Sequence, residues 1–170
     1  MSDKKPGLSS RFIISLNRVD CLTLSGVIFA FGALILISAK QFSFALACLF
    51  SAMLVDALDG IWARKRKVTR AFGRYLDGFV DQLDYLLVPS VFLYFWGFDH
   101  FFYIVILLLF IMSGIVRLSV FNEIGNITQC GKSSYLGMPV FWSLFIAATA
   151  YLSSFILPKQ LVLFCTSVML

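Results

Sequence analysis

Asp56 and Asp59, followed by Asp77 and Asp81, place four carboxylates within 26 residues of the chain. Read as helix, the first pair is i,i+3 and the second i,i+4, so each pair shares one helical face. Four acids held together repel one another unless cations neutralise them, and hard oxygen donors select Mg²⁺, Mn²⁺ or Ca²⁺ over zinc or copper. Two such ions about 3.5–4 Å apart suit displacement at phosphorus, one steadying the attacking oxygen and the other the leaving group. The residues between the acids fit a phosphate-bearing ligand. Gly60 and Ala63 extend the acid face of the first helix without side-chain bulk, and Gly73 stands four residues before Asp77 on the second. A flat nucleotide or a pyrophosphate could approach the backbone there; close packing of two membrane helices is the competing use of such small residues. Arg64 brings a guanidinium that can bind phosphate in a bidentate fashion.

The elements that must position these groups are membrane helices. The chain is 60% hydrophobic with a mean hydropathy of +0.91, against about 45–50% apolar residues in soluble domains. Runs at 21–39, 42–62, 75–96, 101–121 and 138–157 are long enough, or nearly so, for a hydrocarbon core of about 30 Å at about 1.5 Å rise per residue. A sixth run, 161–170, covers about half that thickness and is expected to be an incomplete last span. The expected fold is therefore all-α, a polytopic membrane bundle of about six transmembrane helices forming one domain over residues 1–170. A short interfacial helix is expected at 8–19, where apolar residues alternate with Arg11, Asn17 and Arg18. The first acid pair ends the second span and the second pair opens the third. The short basic loop between them makes the two helices antiparallel neighbours and brings all four acids to one end. An acid at membrane depth costs at least about 2.5–3.5 kcal/mol, which is why such residues are usually paired, metal-bound or functional.

Charge sets the orientation and excludes other classes. With the N-terminus inside, twelve of the 14 Lys and Arg residues are cytoplasmic and only Lys40 and Lys159 fall outside, a strong positive-inside signal. The N-terminus and the acid site are thus expected to face the cytoplasm. The net charge of +5 is accounted for by this asymmetry and by anionic lipid, and no nucleic-acid partner is expected. Asn126-Ile127-Thr128 is read as a chance sequon on the cytoplasmic side, and no signal-peptide cleavage site follows the first apolar run. Cys21, Cys48, Cys130 and Cys165 lack metal or disulfide spacing and are expected to be buried thiols; His100, alone beside Asp99, is expected at an interface.

The spacing D-x2-D-G-x2-A-R-x8-G-x3-D-x3-D resembles the signature of the CDP-alcohol phosphatidyltransferases. It is met at every fixed position by Asp56, Asp59, Gly60, Ala63, Arg64, Gly73, Asp77 and Asp81. The resemblance extends to the six-span layout and implies transfer of a phosphatidyl group from CDP-diacylglycerol to an alcohol, with release of CMP. It implies a divalent metal, Mg or Mn and two ions, held by Asp56, Asp59, Asp77 and Asp81. Asp81 is also implied as general base, and Asp56, Asp59, Gly60, Ala63, Arg64, Gly73 and Asp77 as the CDP pocket. A homodimer in the membrane is implied as well. Asp84 lies outside the signature, seven residues after Asp77, and is expected to pair with an Arg rather than share the cavity.

The acceptor is read from later segments. Arg117-Leu-Ser-Val-Phe-Asn122 and Gly137-Met-Pro139 resemble the R-L-x-x-F-N and G-x-P segments of phosphatidylserine synthases, with a departure at Ser119-Val120, where an Ala-Arg pair is expected. Arg117 and Lys132 are suited to a serine carboxylate, and Asn122 to its amine or hydroxyl. Snorkelling is the plain alternative for Arg117, and a solvated loop charge for Lys132. L-Serine is the expected acceptor, with glycerol phosphate, inositol phosphate and choline as rivals. Intramembrane acids also build ion or proton transporters, but the chain lacks the internal repeat and broken spans common in them.

Overall fold

The structure, a computed structural model, describes residues 17–66, 71–124, 127–129, 132–134 and 140–170. Helix α1 (Arg18–Ser38) leads to α2 (Phe42–Arg66), α3 (Ala71–Asp81), a π-helical turn (Gln82–Leu87) and α4 (Val88–Trp96). Next come α5 (Phe101–Ile124), a small antiparallel hairpin of β1 (Ile127–Gln129) and β2 (Lys132–Ser134), α6 (Trp142–Ser153) and α7 (Lys159–Met169). The chain is thus an all-α bundle, as expected, with one two-stranded hairpin among the described residues.

Three single helices are long and apolar enough to cross a membrane: Val19–Ser38, Phe42–Trp62 and Phe101–Glu123. The span expected at 75–96 is instead a composite, helical without interruption from 71 to 96 but widened in the middle by the π turn. Pro89 explains the break. It has no N–H to give the carbonyl of residue 85, four positions back, and its ring crowds that carbonyl. The run expected at 138–157 holds only the 12 residues of α6 as α-helix, ended by a turn at 154–156, and α7 has 11. The six expected runs thus stand as three single spans, one composite and two short apolar helices among the described residues. All but the last three residues of the expected interfacial helix lie outside the description, and Arg18 and Val19 belong to the first turn of α1.

The surface is that of a protein solvated by lipid. Ile28 is 73% exposed, Phe101 82% and Ile156 87%, which water would penalise and acyl chains do not. Hydroxyls on these helices bond to their own backbone, as Ser51 does to the Ala47 carbonyl at 2.8 Å and Thr149 to that of Phe145 at 2.8 Å, because lipid offers no partner. Cys21, Cys48 and Cys165 are free thiols, as expected, but Cys21 and Cys165 are exposed rather than buried. A lipid-facing surface is as apolar as the interior, so hydropathy does not separate the two. His100 is exposed in the α4–α5 connection.

Inside, α1 and α2 pack closely through small residues: Ala33, Ala45 and Ala52 are fully buried. Their connection is a Schellman-type cap. Gln41 N–H reaches the Leu36 carbonyl at 2.8 Å and Lys40 N–H that of Ile37 at 2.9 Å, with Lys40 in the left-handed region at φ 58°. At that end Phe42, Phe92, Trp96, Tyr151 and Phe155 form a continuous run of ring contacts. Lys159 Nζ donates to the Trp96 carbonyl at 2.8 Å and satisfies the C-terminus of α4.

Gly114 of α5 is buried against Leu86 of the π turn, and a Cβ at 114 would overlap the Leu86 side chain, itself 1% exposed. Gly114→Ala is therefore expected to destabilise the bundle by about 1–3 kcal/mol through overpacking, and Leu86→Ala in the same chain to recover part of that loss. Thermal unfolding of the purified variants in detergent measures both.

Candidate active site

One end of the bundle gathers the start of α1, the end of α2, the start of α3 and the end of α5. Asp56 and Asp59 lie three residues apart near the end of α2, and Asp77 stands on α3. Each of the three offers a carboxylate oxygen within 4.8 Å of the others. Asp59 is 3% exposed and Asp56 and Asp77 are half-buried. Asp81, four residues after Asp77, closes α3, is half-buried, and lies outside that convergent triad. An oxygen-only donor set of this kind suits a hard divalent cation.

Helix α1 forms a third wall that the sequence reading missed. Asn17 caps it: its backbone N–H donates to Asp20 Oδ2 at 2.7 Å, the reciprocal half of a capping box. Asp20, Thr23 and Gly26 then follow at i, i+3 and i+6 along one buried face. Asp20 lies opposite Gly73 of α3, where a Cβ would stand 3.6 Å from Asp20 Oδ1. Thr23 donates its hydroxyl to Asp59 Oδ2 at 2.5 Å. Gly26 leaves room for Asp84: a Cβ there would stand 3.2 Å from Asp84 Oδ2. The signal was present as two polar residues and a glycine at helical spacing on an otherwise apolar span, but the more regular acid motif drew attention from it.

Two residues after the signature complete this end. Tyr85, 4% exposed, donates its hydroxyl to Asp56 Oδ2 at 2.7 Å. Asp84 is 2% exposed and neither of its oxygens has a hydrogen-bond partner. The expectation that it pairs with an Arg is corrected: it turns inward against α1 because the π turn rotates it there. A cation or a ligand donor bound at this place would give the buried carboxyl the partner it lacks.

Of the acceptor candidates, Asn122 is brought to α3. It lies against Gly78, where a Cβ would collide with its amide, and its carbonyl receives Arg74 Nη1 at 3.5 Å. Arg117 is half-buried on α5, five residues before Asn122. Lys132 stands on β2, and Ala63 and Arg64 in the last turns of α2; the side chains of these three lie outside the described residues. Gly60 is half-buried in α2 one residue after Asp59.

Buried acids facing small residues, at one end of an apolar bundle, are the geometry of an intramembrane site for a charged ligand. The chain matches the CDP-alcohol phosphatidyltransferase family model over residues 16–170, and it belongs to that family. Among proteins of known name it is similar to a phosphatidylcholine synthase of Borreliella burgdorferi, 28% identical over 132 residues, 75% of this chain and 55% of that one. It is also similar to CDP-diacylglycerol–serine O-phosphatidyltransferases of Bacillus subtilis, 34% identical over 94 residues (54% of this chain, 51% of that one), and of Helicobacter pylori, 29% over 113 (64% and 47%). The chain spans about half the length of these relatives.

Because Asp84 has no partner to lose, Asp84→Asn keeps its shape while removing a buried charge. Its stability is expected to equal or exceed that of the wild type, because no partner is lost and a buried charge is removed, whereas breaking a true buried ion pair costs about 3–5 kcal/mol. Denaturation in mixed micelles distinguishes the two.

Proposed function

We propose that the protein transfers a phosphatidyl group from CDP-diacylglycerol to a small alcohol and releases CMP. The convergence of Asp56, Asp59 and Asp77 at one polar end of an apolar bundle carries this reading. The diacylglycerol chains lie in the bilayer and the CDP group enters the acid-lined end, against Gly60, Ala63 and Gly73, with Arg64 on its phosphates. Asp56, Asp59 and Asp77, joined by Asp81, would hold Mg²⁺ or Mn²⁺, two ions in the loaded enzyme, and the metal would supply charge to offset that of the pyrophosphate and the attacking oxygen. Asp81 takes the proton of the acceptor hydroxyl. The hydroxyl oxygen bonds to the phosphorus that carries diacylglycerol, and the bond from that phosphorus to the bridging oxygen breaks, so that oxygen leaves on CMP.

L-Serine is the acceptor that Arg117, Lys132 and Asn122 support, the two cations for its carboxylate and the amide for its amine or hydroxyl. Choline is the second reading, favoured by relatives named phosphatidylcholine synthase. Both carry a cationic nitrogen, which suits a site holding more acids than the signature counts, Asp84 included. Glycerol phosphate and inositol phosphate would instead bring anions against these acids. The Lys and Arg bias supports an N-terminus and a site facing the cytoplasm. A single domain over 1–170 and a homodimer in the bilayer complete the proposal. An ion transporter is the reading of another class, and it gives no use to Arg64 beside Gly60 and Ala63.

The decisive experiment incubates purified protein with CDP-diacylglycerol and a panel of alcohols and follows CMP. Release is expected with serine, and to stop in excess chelator; full activity in chelator would remove the metal from the mechanism. Arg117→Ala is expected to raise the serine KM about ten- to a hundredfold, the loss of one charge-assisted contact, with little change for CDP-diacylglycerol. Asp81→Asn is expected to act on kcat instead. Gly60→Leu is expected to leave the fold intact and abolish CDP-lipid binding by calorimetry.

A further inference from the structure

We infer that Thr23 and Tyr85 are positioning residues that fix the Asp59 and Asp56 carboxylates for a cation, and that the π turn is the device that delivers Tyr85. The inference rests on reading those acids as a metal site.

A carboxylate on a helix can rotate about its last torsion, and at a metal site that freedom must be removed before binding or at its expense. Here it is removed beforehand, once on each acid of α2. Thr23 Oγ1 donates to Asp59 Oδ2 at 2.5 Å, in preference to its own helix carbonyl at Val19, 3.2 Å away. Tyr85 donates to Asp56 Oδ2 at 2.7 Å. The donors come from different helices, neither belongs to the acid signature, and both are buried at 7% and 4% exposure. A hydroxyl buried this deeply gains most by donating to a carboxylate, and that bond restricts the rotation of the acid.

Delivery of Tyr85 follows from Pro89. Without an N–H at position 89, the Tyr85 carbonyl lacks its α-helical donor, and the buried Ser143 hydroxyl of α6 donates to it instead. The turn widens to an i→i+5 pattern, with Val88 N–H on the Leu83 carbonyl. Three successive residues are then buried toward three different neighbours: Asp84 against Gly26 of α1, Tyr85 on Asp56 of α2, Leu86 against Gly114 of α5. Restoring a regular helix would rotate the phenol away from Asp56.

The test titrates Mn²⁺ into purified protein in detergent, reading free Mn²⁺ by its paramagnetic resonance, with no substrate present. Thr23→Val and Tyr85→Phe are each expected to weaken Mn²⁺ binding about ten- to a hundredfold, and Thr23→Ser to restore it. Ser143→Ala is expected to act in the same direction as Tyr85→Phe. Added Mn²⁺ should raise the melting temperature of the wild type and of Thr23→Ser more than that of Thr23→Val or Tyr85→Phe, which a purely structural role would not produce. Mn²⁺ affinities of Thr23→Val and Tyr85→Phe within about twofold of the wild type would overturn the inference. Wild-type protein that bound no Mn²⁺ would overturn it together with the metal reading. The expected affinity losses in a protein that transferred to no alcohol would leave it standing and remove the transferase alone.

Discussion

The cost of keeping carboxylates inside an apolar bundle governs this structure. Asp56, Asp59, Asp77, Asp81 and Asp84 fall on α2, α3 and the π turn, where each ionised group without a partner costs several kcal/mol. The fold reduces that cost by giving two of them hydroxyl donors. It does not remove the cost. Three acids still converge within 4.8 Å, and Asp84 has no hydrogen-bond donor among the described residues. A cation bound among these acids would relieve the repulsion that their convergence creates.

Small residues make the arrangement possible. A Cβ at Gly78 would overlap the Asn122 amide and one at Gly26 would crowd Asp84, while at Gly73 a Cβ would just touch Asp20 and anything larger would meet it. The same residues that let membrane helices approach therefore bring polar groups on α1 and α5 to the acids of α2 and α3. Close packing and a ligand-accessible backbone, which compete as explanations when glycines are read from sequence, coincide here. Gly73 shows it: it packs beside Asp20 and also keeps the first turn of α3 free of bulk.

Much of this was legible. The acid spacing, read as two helical faces joined by a short basic loop, implies the convergence of Asp56, Asp59 and Asp77, and hydropathy marks α1, α2 and α5 as spans. Hydropathy says nothing of which side of an apolar helix meets protein and which meets lipid, so Cys21 and Cys165 were placed inside and lie outside. Nor did it register Pro89, which is apolar by composition yet removes a donor and turns the expected third span into a composite. Asp84 was paired with an Arg on the rule that buried acids find a cation. Here the π turn at Gln82–Leu87 overrides that rule by burying Asp84 against Gly26 of α1. Thr23 on its own gives no signal, because a lone threonine in a membrane span usually bonds its own helix, and its shorter bond to Asp59 exists only once α1 and α2 are packed.

The opposite end of the bundle offsets what the acid end costs. There Phe42, Phe92, Trp96, Tyr151 and Phe155 meet in edge-on contacts, each pair contributing about 0.5–1.5 kcal/mol beyond burial. Ser43 and Tyr151 share a hydrogen bond at 2.9 Å, and Lys159 ties α7 to the end of α4. These contacts join α2, α4, α6 and α7 far from the acids. They also hold the frame against which Pro89 breaks the helix and Ser143 meets the freed carbonyl. Unpaired charge at one end thus persists because packing at the other fixes where the helices stand. A site assembled this way keeps its geometry before any ligand arrives, which is the condition for binding energy to go into the reaction rather than into ordering the site.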